Sequence, residues 1–176
     1  RSLLNRDIWP GGSGLWGFTH EMGHNHQRAA WTLDGWTEVT CNLIGAYAIE
    51  EVAGIPLEQA WEGNLEPERI HSTTQAWLDS GRSYDTQGYA VSLYFLLFLK
   101  DGFGWDLWRE FFAEMETIPQ NQWPQGDAAK IDNMVVRLSE GAQRNLAPFF
   151  ERFQFPVSQE ASASAARFPD WEQAPY

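Results

Sequence analysis

Between Tyr89 and Leu99 the chain reads YAVSLYFLLFL, eleven residues interrupted in polarity only by Ser92. A helix that crosses a bilayer needs about 20 apolar residues, so this run is too short to span one. Its apolar character extends nearly all round a helix over 86–100, which predicts a central helix buried in protein on every side. Such a helix must be wrapped by amphipathic neighbours, and the sequence supplies them. Glu38 to Glu51 carries Val39, Leu43, Ile44 and Tyr47 on one face at helical spacing. Glu68 to Leu78 follows Pro67, a residue favoured in a first helical turn, and stops at Ser80-Gly81. Trp105, Trp108, Phe111, Phe112 and Met115 make another stripe, closed by Pro119. Ile131, Met134, Val135 and Leu138 make a further one, and Asn145 is placed to cap a short helix bearing Leu146, Phe149, Phe150 and Phe153. No segment alternates in the manner of a strand. The expected fold is mainly α, with little or no β-sheet.

The chain's 176 residues suit a single core that removes roughly 70 % of the unfolded surface from water. Twelve basic against 24 acidic side chains leave a net charge of −12. That balance argues against nucleic acid and anionic membrane surfaces, both of which recruit basic patches. The single cysteine, Cys41, excludes an internal disulfide framework and a multi-cysteine metal site. No signal peptide is visible and the first residue is Arg1, so a piece processed from a longer protein is expected. Residues 1–156 read as a helical unit. From Val157 small, polar and proline residues predict a loosely ordered tail over 157–176.

The chemistry concentrates in one helix, predicted over Leu15 to Gln27 after the Gly11-Gly12-Ser13-Gly14 lead. His20 and His24 lie four residues apart and so share a helix face, where two imidazoles can hold one Zn²⁺. Glu21 falls beside that position rather than on it. A catalytic zinc needs a third protein ligand and an open fourth position for water. Glu38, fourteen residues past His24 and beyond a turn at Leu33-Asp34-Gly35-Trp36, qualifies as the third. Two helices joined by such a loop can pack antiparallel and bring His20, His24 and Glu38 to one point. Histidines also serve as surface or satisfied core residues. Here three of the four fall within seven residues, which favours a metal site.

The run His20-Glu21-Met22-Gly23-His24-Asn25-His26-Gln27, followed by Trp31, Gly35 and Glu38-Val39-Thr40-Cys41-Asn42-Leu43, resembles the signature of enhancin-like metallopeptidases of the gluzincin type. The likeness continues through Phe103-Gly104-Trp105, Val136-Arg137-Leu138-Ser139 and Asn145-Leu146-Ala147-Pro148-Phe149-Phe150. The resemblance implies a zinc-dependent endopeptidase, secreted or surface-attached, that acts on mucins and other O-glycosylated proteins. It implies His20, His24 and Glu38 as ligands, Glu21 as the catalytic base, and a helical gluzincin-type subdomain. Two departures stand out. Gluzincins of the thermolysin type carry an Asp one turn after the ligand Glu, whereas this chain has Asn42, whose amide oxygen can still accept from a histidine N–H. Gluzincins also place a β-sheet upstream to align the substrate, yet only nineteen residues precede His20. An upstream β-rich part of the same catalytic domain is therefore an expected partner.

In this chemistry Glu21 takes a proton from water and returns it to the leaving amine, while a further donor steadies the oxyanion. Tyr89, His71, Tyr84 and Arg82 are candidates for that donor, with Tyr89 and His71 favoured by their places on neighbouring helices. His26, near the opposite face from His24, reads as structural. Cys41 reads as a small buried residue, since a thiolate would compete for zinc. Trp31, Trp36, Trp61 and Trp123 lie near loops, where indoles either pack the loop or offer flat faces to sugar rings. The rival to an enzyme is a catalytically silent, metal-stabilised helical module that binds glycoprotein or another partner.

Overall fold

The computed structural model describes residues 13–61 and 65–172. Among them the fold is mainly α, with nine α-helices and no β-strand; one isolated bridge joins Asn145 to Asp170. The helices are α1 (Ser13–His26), α2 (Thr37–Tyr47), α3 (Leu57–Ala60), α4 (Pro67–Asp79) and α5 (Tyr89–Phe103). They are followed by α6 (Trp105–Thr117), α7 (Gly126–Ala142), α8 (Ala147–Arg152) and α9 (Gln159–Ala165). No described helix is long and apolar enough to cross a membrane.

The apolar run becomes α5, and it sits where its composition requires. Val91 through Leu97 are all buried, and Phe95 is wholly so. The Phe95 ring packs against Trp36, Phe149, Phe150, Phe153 and Phe155, with centroids 4.7–6.4 Å away. Four of those five rings come from α8 and the turn after it, so the short Phe-rich helix earns its place by covering the middle of α5.

Several expectations shift in detail. The helix expected over Glu38 to Glu51 is α-helical to Tyr47 and continues as a π-helical turn over Ala48–Val52. Glu50 on that turn accepts from the Trp105 indole at 2.7 Å and pairs with Lys100 at 2.8 Å. The chain before Tyr89 is a 3₁₀ turn, Tyr84–Thr86, rather than the start of α5. Ser13 and Gly14, expected in a flexible lead, already belong to α1, while Gly11 and Gly12 lie outside the described residues.

The expectation of a loosely ordered tail needs correction over 157–172. Ser158 caps α9, its hydroxyl accepting from the Ala161 amide at 3.1 Å. Ala161 and Ala165 are buried against α7, and Trp171 packs on Phe103 and Phe149. Small residues looked like tail composition, but here their size permits close packing on a neighbouring helix. Residues 173–176 of the expected tail lie outside the described residues.

One contact between distant segments governs the connection from α1 to α2. Both carboxylate oxygens of Asp127, at the start of α7, accept from the Asp34 amide at 3.0 and 3.1 Å. Lys130 donates to the Thr32 carbonyl at 2.7 Å and lies 3.7 Å from Asp127. The Tyr84 hydroxyl donates to Asp127 as well, at 3.3 Å. Burial, with the charge of Asp127 next, pushes the Tyr84 phenol above its usual value, so it stays a donor at neutral pH. Asp127→Ala removes the acceptor and leaves Lys130, nearly buried, without its counter-charge. A loss of about 1–3 kcal/mol is expected, read as a lower denaturation midpoint at unchanged slope.

Candidate metal centre

α1 and α2 cross at backbone contact, and two glycines make that approach possible. A Cβ on Gly23 would stand 2.2 Å from the Cys41 carbonyl oxygen, and one on Gly45 would stand 3.2 Å from the Thr19 carbonyl. The bare faces meet beside the histidines, since Gly23 directly precedes His24 and Gly45 lies against Thr19 and the His20 backbone nitrogen, so the first turn of α2 is carried up beside them. Leu33 and Trp36 anchor the connecting loop in the core.

This crossing brings His20, His24 and Glu38 together. The Nε2 atoms of the two histidines are 3.2 Å apart, and Glu38 Oε2 lies 3.1 Å from His20 Nε2 and 3.8 Å from His24 Nε2. Tetrahedral zinc, with ligands at about 2.0–2.2 Å, sets its donor atoms about 3.3–3.6 Å from one another. The triangle observed has edges close to that. The Glu38 side chain is 61 % exposed, so the group opens to solvent on its side.

The ring orientations follow from two carboxamides. Asn42 donates through Nδ2 to the Glu38 carbonyl at 2.6 Å, which turns its Oδ1 toward His20 Nδ1 at 2.8 Å. Gln27 donates through Nε2 to the Thr37 carbonyl and to Thr40 Oγ1, both at 2.5 Å, which turns its Oε1 toward His24 Nδ1 at 3.0 Å. A backbone carbonyl only accepts, so neither amide can be reversed without setting oxygen against oxygen. Each neutral imidazole therefore carries its proton on Nδ1 and presents a lone pair at Nε2. Two such lone pairs and a carboxylate oxygen converge on one point, a donor set that suits a divalent cation of the zinc type.

Cys41 belongs to the same neighbourhood, since its sulfur and the three donors all lie within 4.8 Å of one another. Its Sγ is nearer His20 Nδ1, at 3.4 Å, than Nε2, at 3.9 Å, and so lies beside the ring rather than in front of it. Burial, with the Glu38 charge next, pushes the thiol up to about 12. In the metal-free protein the thiol is thus held in its protonated form, filling space beside the His20 ring.

The other sequence candidates are dispersed. Glu21 is exposed on α1 next to His20. Tyr89 is 47 % exposed at the start of α5, its ring stacked on Trp61, which lies against Trp16 one turn before His20. His71 is exposed on α4, which packs on α5. Trp31 and Trp36 are buried, which makes them loop-packing residues rather than flat surfaces for sugar. The residue that spacing alone missed is Gln27. Its signal was weak: a polar side chain three positions past His24, at the edge of a helix.

Two histidines four apart on one helix, joined by a glutamate from the next, define a candidate centre of the HExxH-plus-glutamate kind on a helical scaffold. Residues 9–154 match the family model described as peptidase M60, enhancin and enhancin-like, and the chain belongs to that family. It is 39 % identical over 163 residues to TRPM8 channel-associated factor 2 of Bos taurus, a match covering 92 % of this chain and 18 % of that protein. To TRPM8 channel-associated factor 3 of Rattus norvegicus it is 37 % identical with the same coverage. The chain thus spans under a fifth of these relatives. A functionally unknown conserved protein from Bacillus anthracis str. Ames has a similar fold, with a TM-score of 0.76 at 23 % identity over 93 % of this chain and 33 % of that one.

Proposed function

We propose that this chain is the metal-binding part of a zinc-dependent endopeptidase that acts on mucin-like O-glycosylated protein. The observation that carries the reading is the convergence of His20 Nε2, His24 Nε2 and Glu38 Oε2, with the lone pairs set by Asn42 and Gln27. His20, His24 and Glu38 would hold the zinc ion, which would supply Lewis acidity toward water and a carbonyl oxygen. Glu21, next to His20, accepts the proton released as water attacks and hands it to the departing amine. Tyr89 is assigned the oxyanion donor ahead of His71, because its stacking through Trp61 and Trp16 links it to α1. Burial raises the Tyr89 phenol above its usual value, which keeps it a donor. The working unit in this reading includes an upstream β-rich part of the same catalytic domain, which would align an extended peptide and which rests on the family resemblance. The glycoprotein substrate and an extracellular or cell-surface setting rest on the family resemblance.

A second reading has one observation in its favour: the relatives above are named for association with a channel. In that reading the metal stabilises a helical module that binds a partner and cleaves nothing. Measuring zinc content and cleavage of a mucin-type glycopeptide, in this chain and in any longer protein that contains it, separates the two. The enzyme reading expects one zinc per chain, lost in His20→Ala, and cleavage by this chain or by a longer protein that contains it. Zinc uptake without cleavage by either protein would favour the silent module. Absence of zinc would end both.

A further inference from the structure

We infer that Gln27 is a positioning residue: it holds His24 in the metal-binding tautomer and ties that ring to the turn of α2 that carries Glu38. The inference deepens the metal-site reading and rests on it for its consequence, although not for its test. Three hydrogen bonds make the case. Gln27 Oε1 accepts from His24 Nδ1, while its Nε2 donates to the Thr37 carbonyl and to Thr40 Oγ1. Thr37 and Thr40 flank Glu38 in sequence, and Thr40 is buried with its own hydroxyl donating to the Trp36 carbonyl at 3.2 Å. The acceptor partners are thus fixed by α2, and they dictate which end of the amide faces His24.

His20 is held differently. Its partner Asn42 lies on α2 and donates back to the Glu38 carbonyl. His20 and His24 are each registered against α2 through one carboxamide, and both amides bond the backbone within one residue of Glu38. The two ligands of one helix and the single ligand of the other are set as a unit. Without Gln27 nothing in that arrangement would bias His24 toward a proton on Nδ1. An Nε2–H would then point at the His20 lone pair and at the Glu38 carboxylate, closing the position a cation needs.

The test uses the whole chain and reads the His24 tautomer by ¹⁵N NMR in metal-free protein, beside zinc affinity by chelator competition. Wild type should show Nδ1–H at His24. Gln27→Met, similar in size but with no amide, should move the population toward Nε2–H and weaken zinc about 10- to 100-fold. Gln27→Glu restores an acceptor and should return the proton to Nδ1, while the lost donation to Thr37 keeps thermal stability below wild type. A merely structural role would lower the melting temperature of Gln27→Met with the tautomer and affinity unmoved, and that result overturns the inference. If Gln27→Met fails to fold, Gln27→Glu carries the test: Nε2–H at His24 in that variant overturns the inference too. Should wild type take up no zinc while the tautomer responds to Gln27, the positioning role stands and the metal reading falls.

Discussion

Under the proposed endopeptidase function, exchange of Glu21 for Gln is expected to leave zinc uptake at the wild-type level and to slow peptide hydrolysis about 10²- to 10⁴-fold. The substitution keeps the size and hydrogen-bonding shape of the side chain but removes its ability to take a proton. Glu21 is exposed on α1 and is not one of the three converging donors, so neither the fold nor the metal should respond to its charge. The comparison must be made on the longer protein if that is where cleavage is found, with metal content measured on the same preparations. A fully active Glu21→Gln enzyme that retains its zinc would sink the assignment of the base.

Gly23→Ala sets two effects against each other. On helix propensity alone alanine is better than glycine by about 1 kcal/mol, which predicts a more stable α1. Packing predicts the opposite, because the new Cβ would stand 2.2 Å from the Cys41 carbonyl oxygen and 2.8 Å from the Cys41 Cα. Both are backbone atoms in a buried helix and cannot rotate away. Relief requires the helices to separate, and overpacking of that kind costs about 1–3 kcal/mol beyond what is regained. Separation also draws Glu38 away from His20 and His24, so zinc affinity should fall along with stability. A denaturation midpoint at or above wild type, with zinc affinity intact, would show that the crossing tolerates the methyl group.

Gly23 also illustrates how far the chain could be read in advance. The spacing of His20 and His24 expresses 3.6-residue periodicity, a property of any helix, and the pair was legible wherever that helix packed. The α5 run was legible for a similar reason, since a helix apolar on every face has nowhere to go but the core. Glu38 was reachable by counting residues across a turn. Gln27 was not, because its role depends on which backbone carbonyls the crossing of α1 and α2 happens to place beside it. The segment after Val157 misled for the converse reason: composition measures side-chain size, whereas order depends on the surface those side chains meet.

The linear order of residues was enough to specify a helical chain with a buried central helix and an HExxH pair followed by an acid. Those properties are local, set by periodicity within one element and by the polarity of its faces. The angle and closeness of α1 on α2, the protons on His20 and His24, the burial of Trp31 and Trp36 and the docking of α9 came from three-dimensional packing. They depend on atoms far apart in the chain, such as Asp127 on Asp34 and Gly23 on Cys41. No local rule reaches across such distances. Contact between backbones, and the one-way hydrogen bonding of a carbonyl, turned a motif into an arrangement of lone pairs.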